Sequence, residues 1–162
     1  MDPRAAELIA RLQLQPHPEG GFYRELFRST ASVTPDDSRG RRTALTTIYF
    51  LLTADAVSRW HRVSSDEVWH LYEGGPLELL EFAGSAGEVT RHHLAPVDDS
   101  NRAPVHVVAA GCWQAARTLG AYALMGCSVA PGFEFADFRL LSDDVKESAV
   151  LRTDWPELAA FL

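Results

Sequence analysis

From Ala44 to Leu141 the chain is a train of short segments rich in β-branched, aromatic and other apolar residues. They recur about every 8 to 12 residues, with Gly, Pro or polar clusters between them. Ala44 to Thr53, Ala56 to Val63, Val68 to Tyr72 and Leu77 to Phe82 come first, the last two separated by Gly74-Gly75-Pro76. Glu88 to Leu94 follows a Gly-Ser-Ala-Gly turn. After a polar loop from Pro96 to Pro104 come Val105 to Val108, Cys112 to Thr118, Gly120 to Val129 and Phe133 to Leu141. That spacing predicts an all-β sandwich or barrel. At 162 residues the chain makes one domain, 1–162, which can bury about 70% of its extended-chain surface.

Helices are expected only at the ends. Asp2-Pro3 ahead of Ala5, Leu8, Ile9 and Leu12 reads as a capped amphipathic helix with Pro at its first position. It stops near Gln15, because Pro16 and Pro18 forbid continuation. A strand starting at Phe22 follows the Gly20-Gly21 bend, and residues 30–42 form an exposed polar loop. The tail turns acidic at Ser142 and closes with a short helix, Glu157 to Leu162, after Trp155-Pro156.

Charge narrows the function. The 22 acidic and 15 basic residues give a net charge of -7, without the basic stripe of a nucleic-acid binder. Arg39-Gly40-Arg41-Arg42 reads as loop solubility, and no nucleic-acid partner is expected. Cys112 and Cys127 sit in strand-like surroundings without metal-type spacing, as buried thiols of a reducing compartment. MDPRAAELIARL lacks the pattern of a secretory signal, and no window approaches a membrane span. The expectation is a cytoplasmic protein with no membrane partner.

The stretch Trp60 to Gly74, WHRVSSDEVWHLYEG, concentrates the chemistry: it holds His61, Glu67 and His70. Side chains alternate along a strand, so His61 and Val63 share a face, and Trp69 shares one with Glu67. His70 falls on the opposite face unless a bulge intervenes. Ionisable groups among strands must be paired or hydrogen-bonded. His61 and Glu67 either satisfy each other inside the barrel or form an acid/base pair whose carboxylate raises the imidazole pKa toward neutrality. Gln114, in an apolar strand, needs a partner such as Glu67, His61 or a ligand. Gln114, Trp69, Tyr49 and His70 are the candidate substrate contacts. Tyr49, Trp69, Trp113, Tyr122, Phe133 and Phe135 are mainly core rings, some of which can floor a pocket.

The spacing His61, Val63, Glu67, Gly74 resembles the first signature of the cupin superfamily, H-x-H-(x)3-4-E-(x)6-G. AAGCWQ, with Ala109, Gly111 and Gln114, is a fainter counterpart of the second, P-x-G-x-x-H. HPEGGFYRE (17–25), WHRVSSDEVWHLYEGGPLEL (60–79) and VAPGFEFADF (129–138) are similar to blocks of the uncharacterised cupin-5 subfamily. The resemblance implies a double-stranded β-helix, or jelly roll, usually dimeric, with a small-molecule pocket inside the barrel. Metal-binding cupins use His, His, Glu and a distal His where this chain has His61, Val63, Glu67 and Gln114. Valine cannot ligate and a Gln carbonyl is a poor transition-metal ligand. His61, Glu67 and Gln114 therefore fall short of a metal set, and no cofactor is expected. The same jelly roll serves the rhamnose-pathway sugar epimerases. That analogy points to an epimerase or isomerase acting on a sugar-like or nucleotide-linked compound, with His61 as acid/base and Glu67 orienting it. The alternatives are a non-catalytic ligand-binding protein on a degenerate site and a metal-dependent oxygenase.

Three further features have simple readings. His17 and Glu19 in HPEGG belong to a bend whose glycines take positive φ; the alternative is a segment lidding the barrel mouth or meeting a dimer partner. His92 and His93 are adjacent, so their rings face opposite sides of a surface strand. His106, between valines, is a strand residue.

Overall fold

The computed structural model describes residues 1–84, 87–97 and 102–162. The expected Gly84–Gly87 turn and Pro96–Pro104 loop therefore lie partly outside the described residues. The chain begins with helix α1 (Pro3–Leu12), in which the Asp2 carboxylate accepts from the backbone N–H groups of Arg4 and Ala5. Strands follow as β1 (Gln15–Pro16), β2 (Phe22–Arg28), β3 (Ser32–Val33), β4 (Arg42–Thr43), β5 (Thr46–Thr53) and β6 (Val57–Val63). Then come β7 (Asp66–Gly74), β8 (Leu77–Phe82), β9 (Val89–Leu94), β10 (Val105–Val108), β11 (Trp113–Thr118), β12 (Tyr122–Ala130) and β13 (Phe138–Leu140).

Two antiparallel sheets face each other. One has the order β1-β2-β5-β12-β7-β10 and the other β13-β6-β11-β8-β9, with β3-β4 as a separate ribbon. Between them lies a core of Phe50, Leu52, Trp69, Leu77, Leu79, Leu94, Val108, Ala116, Ala123 and Met125. Alternation sends the intervening residues outward, where helices cover them. Leu51 and Leu124 pack on Ala5 and Leu8 of α1. Trp60, Leu80, Phe82, Trp113 and Ala115 pack on Leu151, Leu158 and Phe161 of the C-terminal segment.

Three expectations need correction. Phe133 to Leu141 is not one strand: a 3-10 turn occupies Phe135–Asp137, and only Phe138–Leu140 pairs with β6. A second helix, α2 (Val145–Asp154), precedes the 3-10 segment Pro156–Phe161. Its apolar residues form no clear stripe, which hid it, although Asp144 capping the Glu147 N–H at 3.1 Å is a readable start signal. The basic cluster is no mere solubilising loop. Arg42 forms a two-pronged pair with Asp137 at 2.8 and 2.8 Å, and Arg39 reaches Asp137 and Ser65. Together they tie the 30–42 segment to the barrel.

One irregularity positions the site. The β6–β11 register runs Gln114 opposite His61 but Ala116 opposite Ser58, so β6 carries one extra residue there. This bulge aims both Ser58 and His61 at the same interior group while Trp60 still points outward to the helices.

Candidate functional site

The interior group that the bulge serves is Glu19, from the HPEGG bend. Across this bend the His17 N–H donates to the Gly21 carbonyl and the Gly20 N–H to the His17 carbonyl, and the Arg59 N–H donates to the Glu19 carbonyl at 2.8 Å. Gly20, at φ 113°, passes against the Val57 carbonyl. The segment thus packs onto β6 and lowers Glu19 into the barrel, leaving it 6% exposed. The Ser58 hydroxyl donates to Glu19 Oε1 at 2.9 Å. Glu19 Oε2 lies 3.3 Å from His61 Nε2 and 3.5 Å from His17 Nδ1.

Hydrogen-bond roles settle the tautomers. His61 Nδ1 is 2.7 Å from the Arg59 carbonyl oxygen. A carbonyl only accepts, so Nδ1 carries the hydrogen, and in the neutral ring that burial favours Nε2 offers a lone pair. The Glu19 backbone N–H donates to His17 Nδ1 at 3.2 Å, so His17 carries its hydrogen on Nε2. Glu19 Oε2 therefore faces two lone pairs, which a carboxylate would repel, whereas a carboxylic acid can donate its proton to His61 Nε2 while the Glu19 N–H serves His17 Nδ1. Burial agrees: it pushes Glu19 up to about 8, against the smaller lowering effects of Ser58 and Arg59.

Behind this group Glu67 accepts from Gln114 Nε2 at 2.6 Å, while Gln114 Oε1 accepts from Trp69 Nε1 at 2.9 Å. Burial pushes Glu67 up to about 7, despite the lowering influence of His61. His17 is driven down to about 4 by burial and then by His61. His61 is also lowered, because burial outweighs Glu67 and the Arg59 carbonyl. The expected upward shift of His61 is thus reversed: leaving water costs the imidazolium more than a carboxyl that is itself largely protonated returns. Nor do His61 and Glu67 form a hydrogen-bonded pair, since the acid within reach of His61 is Glu19.

These shifts predict how stability varies with pH. The folded protein holds protons on Glu19 and Glu67 at pH values where the unfolded chain has lost them, so stability falls as pH rises from about 4.5 toward 8. His17 and His61 work oppositely, reducing stability below about 6.5. Between pH 6.5 and 8 only the carboxyls remain in play. Glu19→Gln replaces the acid with an amide that keeps a donor and an acceptor. Its stability is expected to fall between pH 6 and 8 by about 2 kcal/mol less than that of the wild type. Denaturant titrations at both pH values check this, and equal falls would refute the protonated Glu19.

A cavity of about 150 Å³ opens onto this network. Glu67, Val63 and Cys127 lie at its lining with His17, Tyr23, Thr46 and Ile48, while Gln15, Glu25, Arg28, Glu134, Phe133 and Phe135 complete it. Of the sequence candidates, Glu67 lines the cavity itself. His61, Gln114 and Trp69 are buried one layer behind it. Tyr49 and His70 are elsewhere. Tyr49 lies beside Tyr72 at 6.3 Å between ring centroids and His70 stacks on Tyr72, all on the outer face of the six-stranded sheet. The β7 bulge falls at Leu71–Glu73, beyond His70, and so does not turn it inward. His17 and Glu19 were not singled out as site residues. The available signal was two ionisable groups ahead of a Gly-Gly pair, but nothing in the chain order says that the bend folds back onto β6.

Two facing antiparallel sheets enclosing such a cavity define a jelly-roll β-barrel, a double-stranded β-helix. Residues 6–141 match the family described as Cupin superfamily (DUF985), and the chain belongs to it. A hypothetical protein from Leishmania major is 31% identical with a TM-score of 0.81, over 97% of this chain and 95% of that one. A Shewanella oneidensis protein is 33% identical with a TM-score of 0.79, over 96% and 92%. The oxalate decarboxylase of Bacillus subtilis, a protein with Mn(II) centres, shares the fold at 12% identity and a TM-score of 0.58, over 93% and 38%. No curated protein matches the chain.

The cupin metal position does not suit a metal here. Val63 is apolar, and Gln114 has committed its oxygen to Trp69 and its amino group to Glu67. The His61 Nε2 lone pair is turned to Glu19. Among the described residues, the cluster of three His, Cys, Asp or Glu ligand atoms within 4.8 Å of one another lies elsewhere.

Proposed function

We propose that this cupin binds a small polar molecule in the barrel and moves a proton on it, as an epimerase or isomerase acting next to a carbonyl on a sugar-like or nucleotide-linked compound. The observation that carries this reading is Glu67. It is a buried carboxyl held near pH 7, it opens onto the cavity, and its hydrogen-bond partners are fixed from behind. A base poised near the working pH is the most effective one for proton abstraction. His17, with its hydrogen on Nε2, and Tyr23 are donors of the cavity lining for a developing enolate oxygen. Phe133 and Phe135 offer rings on which a sugar face can rest. His61 acts behind Glu19, as part of the buried proton-holding network, not against the substrate. Solvent-deuterium incorporation into a panel of keto-sugars and sugar-nucleotides tests the proposal. Exchange supports it, and its absence across the panel in the presence of measurable binding leaves the non-catalytic binding protein instead.

The protein is further proposed to act as a homodimer through the outer face of the six-stranded sheet. Tyr72, Val105 and Val107 are exposed there, and His70 Nδ1 is buried beside them with no hydrogen-bond partner among the described residues. An apolar patch with an orphaned polar atom suits a second copy. Val107→Glu is expected to convert a dimer to a monomer in light scattering after gel filtration, without lowering the melting temperature of the monomer. A wild-type monomer at all concentrations refutes the dimer.

A further inference from the structure

The two sheets meet along a seam between β9 and β10 that, among the described residues, is bridged by the Leu94–Ala103 pair and an Ala95 N–H donating to the Ala103 carbonyl. Strand β9 ends the five-stranded sheet and β10 ends the six-stranded sheet, and neither is the hydrogen-bonded partner of the other. Across this seam the His92 and His106 rings stack at 3.8 Å between centroids. Both point Nε2 at the same oxygen, Glu81 Oε1: His92 at 3.1 Å and His106 in a shorter contact. The three residues come from β8, β9 and β10, on the side of those strands that carries Leu79, Leu94 and Val108 into the core. His93 points the other way, to Glu78 at 3.7 Å. The ligand atoms of Glu81, His92 and His106 all lie within 4.8 Å of one another.

We infer that Glu81, His92 and His106 form a binding site for one divalent first-row transition metal, best suited to Zn²⁺. This site is separate from the cavity and independent of the proposed isomerase chemistry. Two imidazoles and a carboxylate are the donor set of three-ligand zinc sites, which keep the fourth position open. Ligands on zinc bonds of about 2.0–2.2 Å stand about 3.4 Å apart. Both imidazole–carboxylate separations are shorter than this, so seating an ion requires the group to open slightly by side-chain rotation, and His92 and His106 are about one-third and one-quarter exposed, at 35% and 26%, with room for it. A groove bordered by Arg91, His93, Leu94 and Val105 leads to the two histidines from solvent, so an ion can enter. The Cys112 sulfur lies 3.6 Å from Glu81 Oε2, on the far side of the carboxylate. Bound metal would join three strands and reinforce the seam between β9 and β10, so it stabilises the barrel as well as occupying the site.

The test uses tag-free full-length protein, stripped with a chelator and titrated with Zn²⁺ by calorimetry and with Co²⁺ by visible absorption. One equivalent is expected, with a tetrahedral-type Co²⁺ spectrum and a melting temperature that rises with Zn²⁺. His92→Ala, His106→Ala and Glu81→Gln should each weaken binding by at least about tenfold, since one of three ligands is lost. His93→Ala, His61→Ala and Glu67→Gln should leave it unchanged. Circular dichroism of the stripped variants confirms that each is folded. The wild-type titration stands alone if one is not: failure to bind either ion overturns the proposal. Binding that survives His92→Ala and His106→Ala but is lost in His61→Ala or Glu67→Gln overturns it too, by moving the ion to the barrel centre.

Discussion

Glu67→Gln is expected to slow solvent-deuterium exchange into a bound carbonyl compound by about 10²–10⁴-fold, the usual worth of a positioned general base. The amide keeps an oxygen to accept from Gln114 Nε2, which now lies 2.6 Å from the carboxylate, so the buried polar chain through Trp69 survives. Ligand affinity should change little, because what is lost is the capacity to take a proton at neutral pH. In the wild type the exchange rate should rise with pH through about 7, as the buried carboxyl ionises. Mass spectrometry of the recovered ligand reads the rate. Unchanged exchange in the variant would remove Glu67 from the chemistry and leave His17 or Tyr23 to account for it.

Gly20→Ala is expected to lower stability by about 2–4 kcal/mol, combining an unfavourable backbone conformation with overpacking. At φ 113° an L side chain is strained, and a Cβ there would collide with the Val57 carbonyl oxygen. The bend would lift from β6, taking Glu19 away from Ser58 and His61. Cavity binding should therefore fall along with stability. Gly40→Ala is the control, because Gly40 also has positive φ, at 74°, but a Cβ there meets nothing within 4 Å. Only the conformational cost should appear. Equal losses in the two variants, measured by denaturant unfolding, would show that contact with β6 is not what requires Gly20.

Local rules made much of the barrel readable. Asp2 and Pro3 announce α1, Leu77 to Phe82 and Val105 to Val108 match their strands residue for residue, and the Gly and Pro punctuation separates the rest. The segment Phe133 to Leu141 misled because Phe133 and Phe135 look like strand residues, yet they line the cavity ahead of the short strand that begins at Phe138. Alternation correctly set His70 apart from Glu67 and His92 apart from His93, since it depends only on neighbours in sequence.

What the sequence by itself determined is therefore the train of short strands and, by alternation, the shared face of His61 and Val63 and the shared face of Glu67 and Trp69. The tertiary structure alone decided the rest. The bulge in β6, the return of HPEGG onto that strand, and the meeting of Glu81, His92 and His106 across the β9–β10 seam depend on contacts between residues distant in the chain. The protonation states depend on them as well, because they follow from burial and from which lone pairs meet. A pattern of period two can tell which face a residue takes. It cannot tell what waits on the other side of the barrel.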